Sequence, residues 1–419
     1  MLNFSLSQFG QELAQVGGAV GFQMEGGRLR SSHPRFEALA DSLSSHPDFD
    51  NHRALFLARG PESGQLHSVS LHRIRRGPGA GGVRRLPFGT LNDMVTDGMR
   101  LAIGMGYKNA LAGLWWGGGK GVIGLHDSGA DKDTVYREFG RFVSALNGCY
   151  VSAEDVGTKP EDMATVFSAT RFTTCIPAQV GGSGNPSGAT ARGVFMGIQA
   201  LARHWGRELQ GMTVALQGLG EVGSRLARYL HEAGVDMTVF DPEADKMERV
   251  LALGERHKAG SAESILFEEV DVLSPCALGA VLTPESVPRL RCRGICGAAN
   301  NQLQVSERDS ELLHERGISY LPDFVVNRMG IVNCADEQYG RLEPDPKIER
   351  HFGWEWDNAI APLCVRLLAE AEERGETPLL QADRLAREAM SVDHPLWPGR
   401  AEEIARYTFE LMRDGKFRF

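Results

Sequence analysis

Hydrophobic and polar positions change their period several times along this chain. "RALFLA" (53–58) and "LHSVSLHRI" (66–74) are short, alternating, strand-like runs. Over "TLNDMVTDGMRLAIGMGYKNALAG" the apolar residues Leu91, Met94, Val95, Met99, Leu101 and Ala102 fall at helical spacing. A second helical pattern, "KDTVYREFGRFVSALN", precedes the strand "CYVSAE". Residues 1–50 read as a helical, loop-rich lead-in.

At residue 211 the pattern becomes a regular exchange of strands and helices. "GMTVALQGLGEVGSRLARYLHEAGVDMTVFDPEADK" reads as a strand, a glycine turn, an amphipathic helix, a stop at Gly234 and a second strand ending in Asp241. The later runs "VDVLSP", "GICGAA" and "ISYLPD" have the spacing of further parallel strands separated by helices. From about 345 the tail is helical and polar on one face, and it is expected to return to the first domain. A chain of 419 residues exceeds what one hydrophobic core usually serves. Two domains follow: residues 1–175, rejoined by 345–419, and residues 176–344.

Composition narrows the function classes. With 42% hydrophobic and 24% charged residues and a formal net charge of -9, the chain reads as a soluble globular protein. Its one dense basic patch, "RIRRGPGAGGVRR" (73–85), is too short for a general nucleic-acid binder. The N-terminus lacks the basic region of a signal peptide, and no run approaches the roughly 18 apolar residues of a membrane span. Seven cysteines without a C-x-x-C pair argue against a disulfide framework or a structural zinc, so no metal is expected and a reducing cytoplasm fits.

Gly218, Gly220 and Gly223 form G-x-G-x-x-G between a strand and a helix. The first glycine permits a tight turn, the second lets a pyrophosphate approach the backbone, and the third packs helix on strand. The helix N-terminus adds N–H groups and a positive dipole end. Asp241, at the end of the next strand, stands where a carboxylate accepts ribose hydroxyls, and it would repel a 2′-phosphate. NAD is therefore expected rather than NADP. The expected fold is α/β, two domains with an interdomain cleft, the second a doubly wound Rossmann domain.

The other unusual stretch is "YKNALAGLWWGGGKGVIG" (107–124), in which glycines interrupt an apolar segment. Glycine raises the entropic cost of folding, so such a run implies a close backbone approach. Lys108 and Lys120 bracket it; two ammonium groups held near one another, one of them desolvated, would depress a pKa toward the range of a general acid/base. In "YVSAEDVGTKPEDM" (150–163), Thr158 and Glu161 read as a capping box opening a helix. Asp155 lies in the loop before it, where catalytic groups are commonly presented.

Taken together, "GMGYKNALAGLWWGGGKGVI", "YVSAEDVGT", "GGSGNPSGATARGV", "VALQGLGEVG", "SPCALGAVL" and "AANNQL" resemble the glutamate/leucine/phenylalanine/valine dehydrogenase family, most of all its leucine dehydrogenase branch. The resemblance runs from about 50 to 340 and implies oxidative deamination of an L-amino acid to a 2-oxo acid and ammonium. It implies that Lys108 binds the substrate carboxylate, that Lys120 activates water, and that Asp155 exchanges protons with the amino group. Gly81 and Gly82 would approach the substrate through their backbone, and Asn301 would help fix it. Thr190 would sit beside the nicotinamide amide, with Glu221, Val222, Cys276, Ala277 and Asn301 also against the dinucleotide. A homo-oligomer is expected.

The chain departs from the family in places. Ala80 stands where glutamate dehydrogenases carry lysine and leucine dehydrogenases leucine, and the other side-chain pocket positions are Ala153, Ile331 and Cys334. None is charged, and an uncompensated buried carboxylate would cost several kcal/mol, which disfavours glutamate. Arg328 and Met329 replace small residues, and Asn300 replaces an aspartate. Arg328 either pairs a second acidic group, which would make the protein a glutamate dehydrogenase, or faces solvent. A third reading is a nucleotide-binding relative that has lost catalysis; Lys108, Lys120 and Asp155 together argue against it.

Overall fold

The computed structural model describes residues 1–126, 129–277, 279–340, 342 and 344–419. The chain divides into two compact units, one of 1–185, 334–340 and 386–419, the other of 186–333 and 341–385.

The first unit starts with α1 (Leu6–Ala14), β1 (Ala19–Glu25), β2 (Arg28–Ser31) and α2 (Glu37–Ser44). The lead-in therefore contributes strands as well as helices. Glu25-Gly26-Gly27-Arg28 closes the β1–β2 hairpin with positive φ at both glycines (58° and 86°), as a tight two-residue turn requires. There follow β3 (His52–Arg59), β4 (Leu66–His72), β5 (Gly79–Pro87), α3 (Leu91–Leu111), β6 (Gly117–Leu125), α4 (Lys132–Ala145), β7 (Tyr150–Glu154) and α5 (Pro160–Phe167). The strands form one mixed sheet, β2-β1-β3-β4-β6-β5-β7, in which β5 runs parallel to both β6 and β7. Both β5 and β6 lie in stretches that pattern did not mark as strands. Basic and glycine-rich sequence has low strand propensity, and packing overrides it here.

Helix α3 begins at Thr90, whose hydroxyl accepts from Asp93 N–H while the Asp93 carboxylate accepts from Thr90 N–H. Its Met94, Val95 and Met99 bury against Leu6, Phe9 and Leu13 of α1, Leu39 and Leu43 of α2, and Val122 of β6.

The second unit holds α6 (Ser187–His204), β8 (Thr213–Gln217), α7 (Glu221–Glu232), β9 (Asp236–Phe240), α8 (Ala244–Leu251), β10 (Lys258–Ala259), β11 (Val272–Pro275), β12 (Gly294–Ile295), α9 (Ser306–Glu315), β13 (Ser319–Tyr320) and α10 (Asp323–Val326). Its six strands are all parallel in the order β10-β9-β8-β11-β12-β13. Numbered from β8 this is 3-2-1-4-5-6, the doubly wound Rossmann arrangement. Then come α11 (Met329–Glu337), α12 (Pro346–Glu349), α13 (Ile360–Arg374), α14 (Pro378–Met390) and α15 (Arg400–Arg413). The sequence reading sent all of 345–419 to the first domain, whereas residues 341–385 group with the second unit and only 386–419 with the first. Among the described residues no helix is long and apolar enough to cross a membrane.

One core position in the first unit is chemically costly. His67, on β4, is fully buried against Phe139 and Phe142, with ring centroids 5.9 and 6.3 Å away, and neither ring nitrogen has a hydrogen-bond partner among the described residues. Burial lowers its pKa from 6.5 to about 3. The unfolded chain then binds the proton more readily, so stability is lost as pH falls from about 6.5 toward 3. His67→Phe should raise stability at pH 5 by about 2 kcal/mol relative to wild type, with a smaller gain at pH 8. Thermal melts of both proteins at the two pH values check this.

Candidate active site

The glycine run before Lys120 forms β6 and is buried throughout. A Cβ on Gly118 would overlap the carbonyl oxygen of Ala102 in α3; on Gly119 it would fall 2.9 Å from Tyr150 Cδ2, and on Gly121 2.8 Å from Phe139 Cζ. Bare backbone is thus required on both faces of the strand, by α3 on one and by Tyr150 and Phe139 on the other. Val122 also packs on the α3 side. Side chains alternate along a strand, so Lys120, midway between Gly118 and Val122, points to the same face.

Lys120 is only 3% exposed. Its Nζ donates to Asp155 Oδ2, and Arg84 Nε donates to the same oxygen at 3.1 Å. Arg84 Nη1 reaches Asp97 Oδ1 on α3 at 2.8 Å. Burial lowers the Lys120 pKa below the ordinary lysine value, with Arg84 adding repulsion and Asp155 opposing it. For Asp155 burial alone would act upward, but Lys120 and Arg84 outweigh it and hold the carboxyl well below the usual range. Arg84 is thus a like charge acting on Lys120, a role the sequence reading had given to Lys108. Lys108 is half-buried in the last turn of α3.

Neighbouring groups fix this arrangement. Tyr150 OH donates to the Gly81 carbonyl at 2.6 Å, and Asn109 Nδ2 donates to the carbonyls of Ala80 (3.2 Å) and Gly117 (2.7 Å). A Cβ on Gly82 would fall 2.6 Å from Asp155 Cβ, so that glycine admits the carboxylate. Thr158 does not cap α5. Its hydroxyl accepts from Asp155 N–H at 2.8 Å, while Lys159 N–H donates to Asp162 at the helix start. Ala80 and Ala153 are buried on β5 and β7, and Cys334 Sγ lies 2.6 Å from Cys175 Sγ.

In the second unit the three motif glycines are distinguishable. Gly218 has φ +92°, and a Cβ on Gly223 would overlap the Gly218 carbonyl oxygen. A Cβ on Gly220 meets nothing within 4 Å, which leaves the approach to the α7 N-terminus open. Cys276 and Ala277 pack against Gly218. Glu221 and Val222 open α7; Thr190 Oγ1 donates to the Pro186 carbonyl, and Asn301 N–H donates to Asp323. Asp241 is buried, accepting from Leu219 N–H at 2.7 Å and Glu243 N–H at 3.0 Å, with Lys246 Nζ at 3.9 Å. A cavity of about 330 Å³ beside Gly220 is lined by Ser224, Arg228, Lys246 and Arg249. These residues fit the pyrophosphate and adenosine ribose of a dinucleotide. The cations are brought there by the fold, from separate helices.

Residues 68–172 match the model of the Glu/Leu/Phe/Val dehydrogenase dimerisation domain, and 181–384 that of glutamate/leucine/phenylalanine/valine dehydrogenase. Leucine dehydrogenase of Geobacillus stearothermophilus is 39% identical over 346 residues, 81% of this chain and 90% of that one. The chain belongs to the Glu/Leu/Phe/Val dehydrogenase family. It is an oxidoreductase, an NAD(P)-dependent amino-acid dehydrogenase. Valine dehydrogenase of Streptomyces albus is 38% identical, covering 84% of this chain and 97% of its own. Among solved structures, L-tryptophan dehydrogenase from Nostoc punctiforme superposes with a TM-score of 0.68 at 33% identity, over 81% of this chain and 96% of that one.

Arg328 in this dehydrogenase does not face solvent. It is fully buried, and its guanidinium donates to the Asn358 carbonyl within the second unit. Arg84, Asp97, Asn109 and Tyr150 were missed in the sequence. Arg84 stands two residues after Gly82 and Asn109 directly after Lys108, adjacency that marks them only once the strands are known.

Two glycine substitutions separate packing from binding. Gly118→Ala should destabilise the protein by about 1–3 kcal/mol through overpacking against α3. Gly220→Ala should cost about 1 kcal/mol or less, yet weaken NADH binding about tenfold or more by obstructing the phosphate approach. Denaturant unfolding and NADH fluorescence titration of both variants check this.

Proposed function

We propose that this dehydrogenase oxidatively deaminates an L-amino acid with an apolar side chain, leucine, valine, isoleucine or larger, with NAD as oxidant. The observation that carries the reading is the buried Lys120–Asp155 pair. Burial lowers the Lys120 pKa below the ordinary lysine value, which eases its service as a base, while Asp155 is held ionised by Lys120 and Arg84. Lys120 takes a proton from the water that adds to the oxidised α-carbon, and Asp155 exchanges protons with the amino group. Lys108 pairs the α-carboxylate, and the Gly81–Gly82 backbone orients the substrate. NAD, when bound, accepts the hydride from the α-carbon. Gly220, the α7 N-terminus and Asp241 would hold it, with Thr190 toward the nicotinamide.

The apolar preference is supported by Ala80, Ala153, Ile331 and Cys334, all uncharged and all buried. Glutamate is disfavoured because the guanidinium of Arg328 is buried against Asn358. A retained Lys120–Asp155 pair speaks against a non-catalytic relative. The dimerisation-domain match supports a homo-oligomer, and seven free thiols fit a reducing cytoplasm.

A second cofactor reading is favoured by Arg228, Lys246 and Arg249 around the cavity beside Gly220, since such cations suit a 2′-phosphate. Asp241 opposes it. NAD should exceed NADP by at least about tenfold in kcat/KM, about 1.4 kcal/mol. In a panel of L-amino acids assayed for NADH formation, apolar substrates should outperform glutamate. A glutamate preference overturns the substrate reading, and equal use of NADP overturns the role of Asp241.

A further inference from the structure

We infer that Arg84 is a positioning residue that lets Lys120 cycle its proton, standing as the counter-charge that remains on Asp155 whenever Lys120 is neutral. This rests on the role proposed for Lys120. The geometry is specific: Lys120 Nζ and Arg84 Nε converge on one oxygen of Asp155, and Arg84 Nη1 is held at 2.8 Å by Asp97 from α3. The side chains of Lys120, Arg84 and Asp155 are 4%, 15% and 17% exposed.

A carboxylate so enclosed is costly to leave uncompensated. With Lys120 as its only partner, neutralising that lysine would strand the charge of Asp155, and the pair would lock as a permanent ion pair. Arg84 removes the penalty because a guanidinium does not titrate in this range. It also repels the Lys120 ammonium, favouring loss of the proton. Asp97 acts in the opposite sense on Lys120, and it anchors Arg84 at a fixed distance. The charged groups facing the pair are thus Arg84 from β5 and Asp97 from α3. Tyr150 from β7 is kept neutral as burial pushes its phenol up. A purely structural Arg84 would tie β5 to α3 without touching the titration of Lys120.

The test compares Arg84→Gln, Arg84→Lys and Asp97→Asn with wild type in two measurements. One is the pH profile of kcat for an apolar amino acid. The other is competitive acetylation of Lys120 with acetic anhydride across pH, followed by peptide mass mapping, which needs no turnover. Arg84→Gln should move the Lys120 titration upward by about one pH unit or more in both, so that kcat on the acidic limb of the profile, below both titrations, drops about tenfold. Arg84→Lys should largely restore the wild-type profile, and Asp97→Asn should move the titration downward. An unchanged Lys120 titration in Arg84→Gln overturns the inference. If Arg84→Gln does not fold, the inference stands or falls on Asp97→Asn, where an upward or absent shift overturns it. A wild type that turns over no amino acid, while acetylation still shifts as described, would overturn the proposed function and leave the electrostatic coupling intact.

Discussion

The first unit depends on the close approach of helix α3 to a strand with no side chains in the way. Gly118 lets the α3 backbone lie against β6, and Gly119 and Gly121 admit Tyr150 and Phe139 from the opposite face. Lys120 is the single long side chain in this run, so it has no room except along the α3 face, where Asp155 and Arg84 meet it. Its burial is thus a consequence of backbone packing. The entropic cost of four glycines and the desolvation of one ammonium both oppose this arrangement, and the packing of α3, Tyr150 and Phe139 against β6 offsets them.

Desolvation alone favours the neutral amine of Lys120, and pairing with Asp155 alone favours the ammonium. The cluster of two cations and two anions lies between these limits. Buried charge is stabilised only when each member is paired and hydrogen-bonded. In the role proposed for this cluster, the second cation on Asp155 is what lets the pair exchange a proton. In the second unit the chemistry is simpler: an unobstructed glycine at a helix start and a buried carboxylate tying the glycine turn to the end of the next strand.

Much of this was legible in the sequence, for physical reasons that differ by element. The G-x-G-x-x-G turn declares itself because each glycine answers a separate steric demand within a few residues, and β8, α7 and β9 follow with standard periodicity. Lys120 and Asp155 were singled out by local oddity and by resemblance, and the structure brings their side chains together. Arg84 was not, because "GGVRR" reads as surface basic sequence until β5 is known to lie between β6 and β7. The partner of Arg84, Asp97, sits thirteen residues later on a helix, and side-chain pairing across elements leaves no periodic trace. Thr158 shows the converse: its sequence suggests a helix cap, and the structure uses its hydroxyl to hold the backbone of Asp155. The hairpin at Gly26–Gly27 was passed over inside a lead-in that looked featureless, although a double glycine between strand-like runs is a hairpin signal.

The central claim is that the amine of Lys120 moves a proton during turnover. Chemical rescue tests it most directly. The Lys120→Ala protein, confirmed as folded and able to bind NADH, is assayed with an apolar L-amino acid and NAD in the presence of methylamine and a series of small primary amines. The account predicts turnover reduced by a factor on the order of 10² to 10⁴, partly restored by added amine in proportion to its concentration and its basicity. Undiminished turnover in Lys120→Ala, or a loss that no amine repairs while Lys120→Arg remains active, would contradict it.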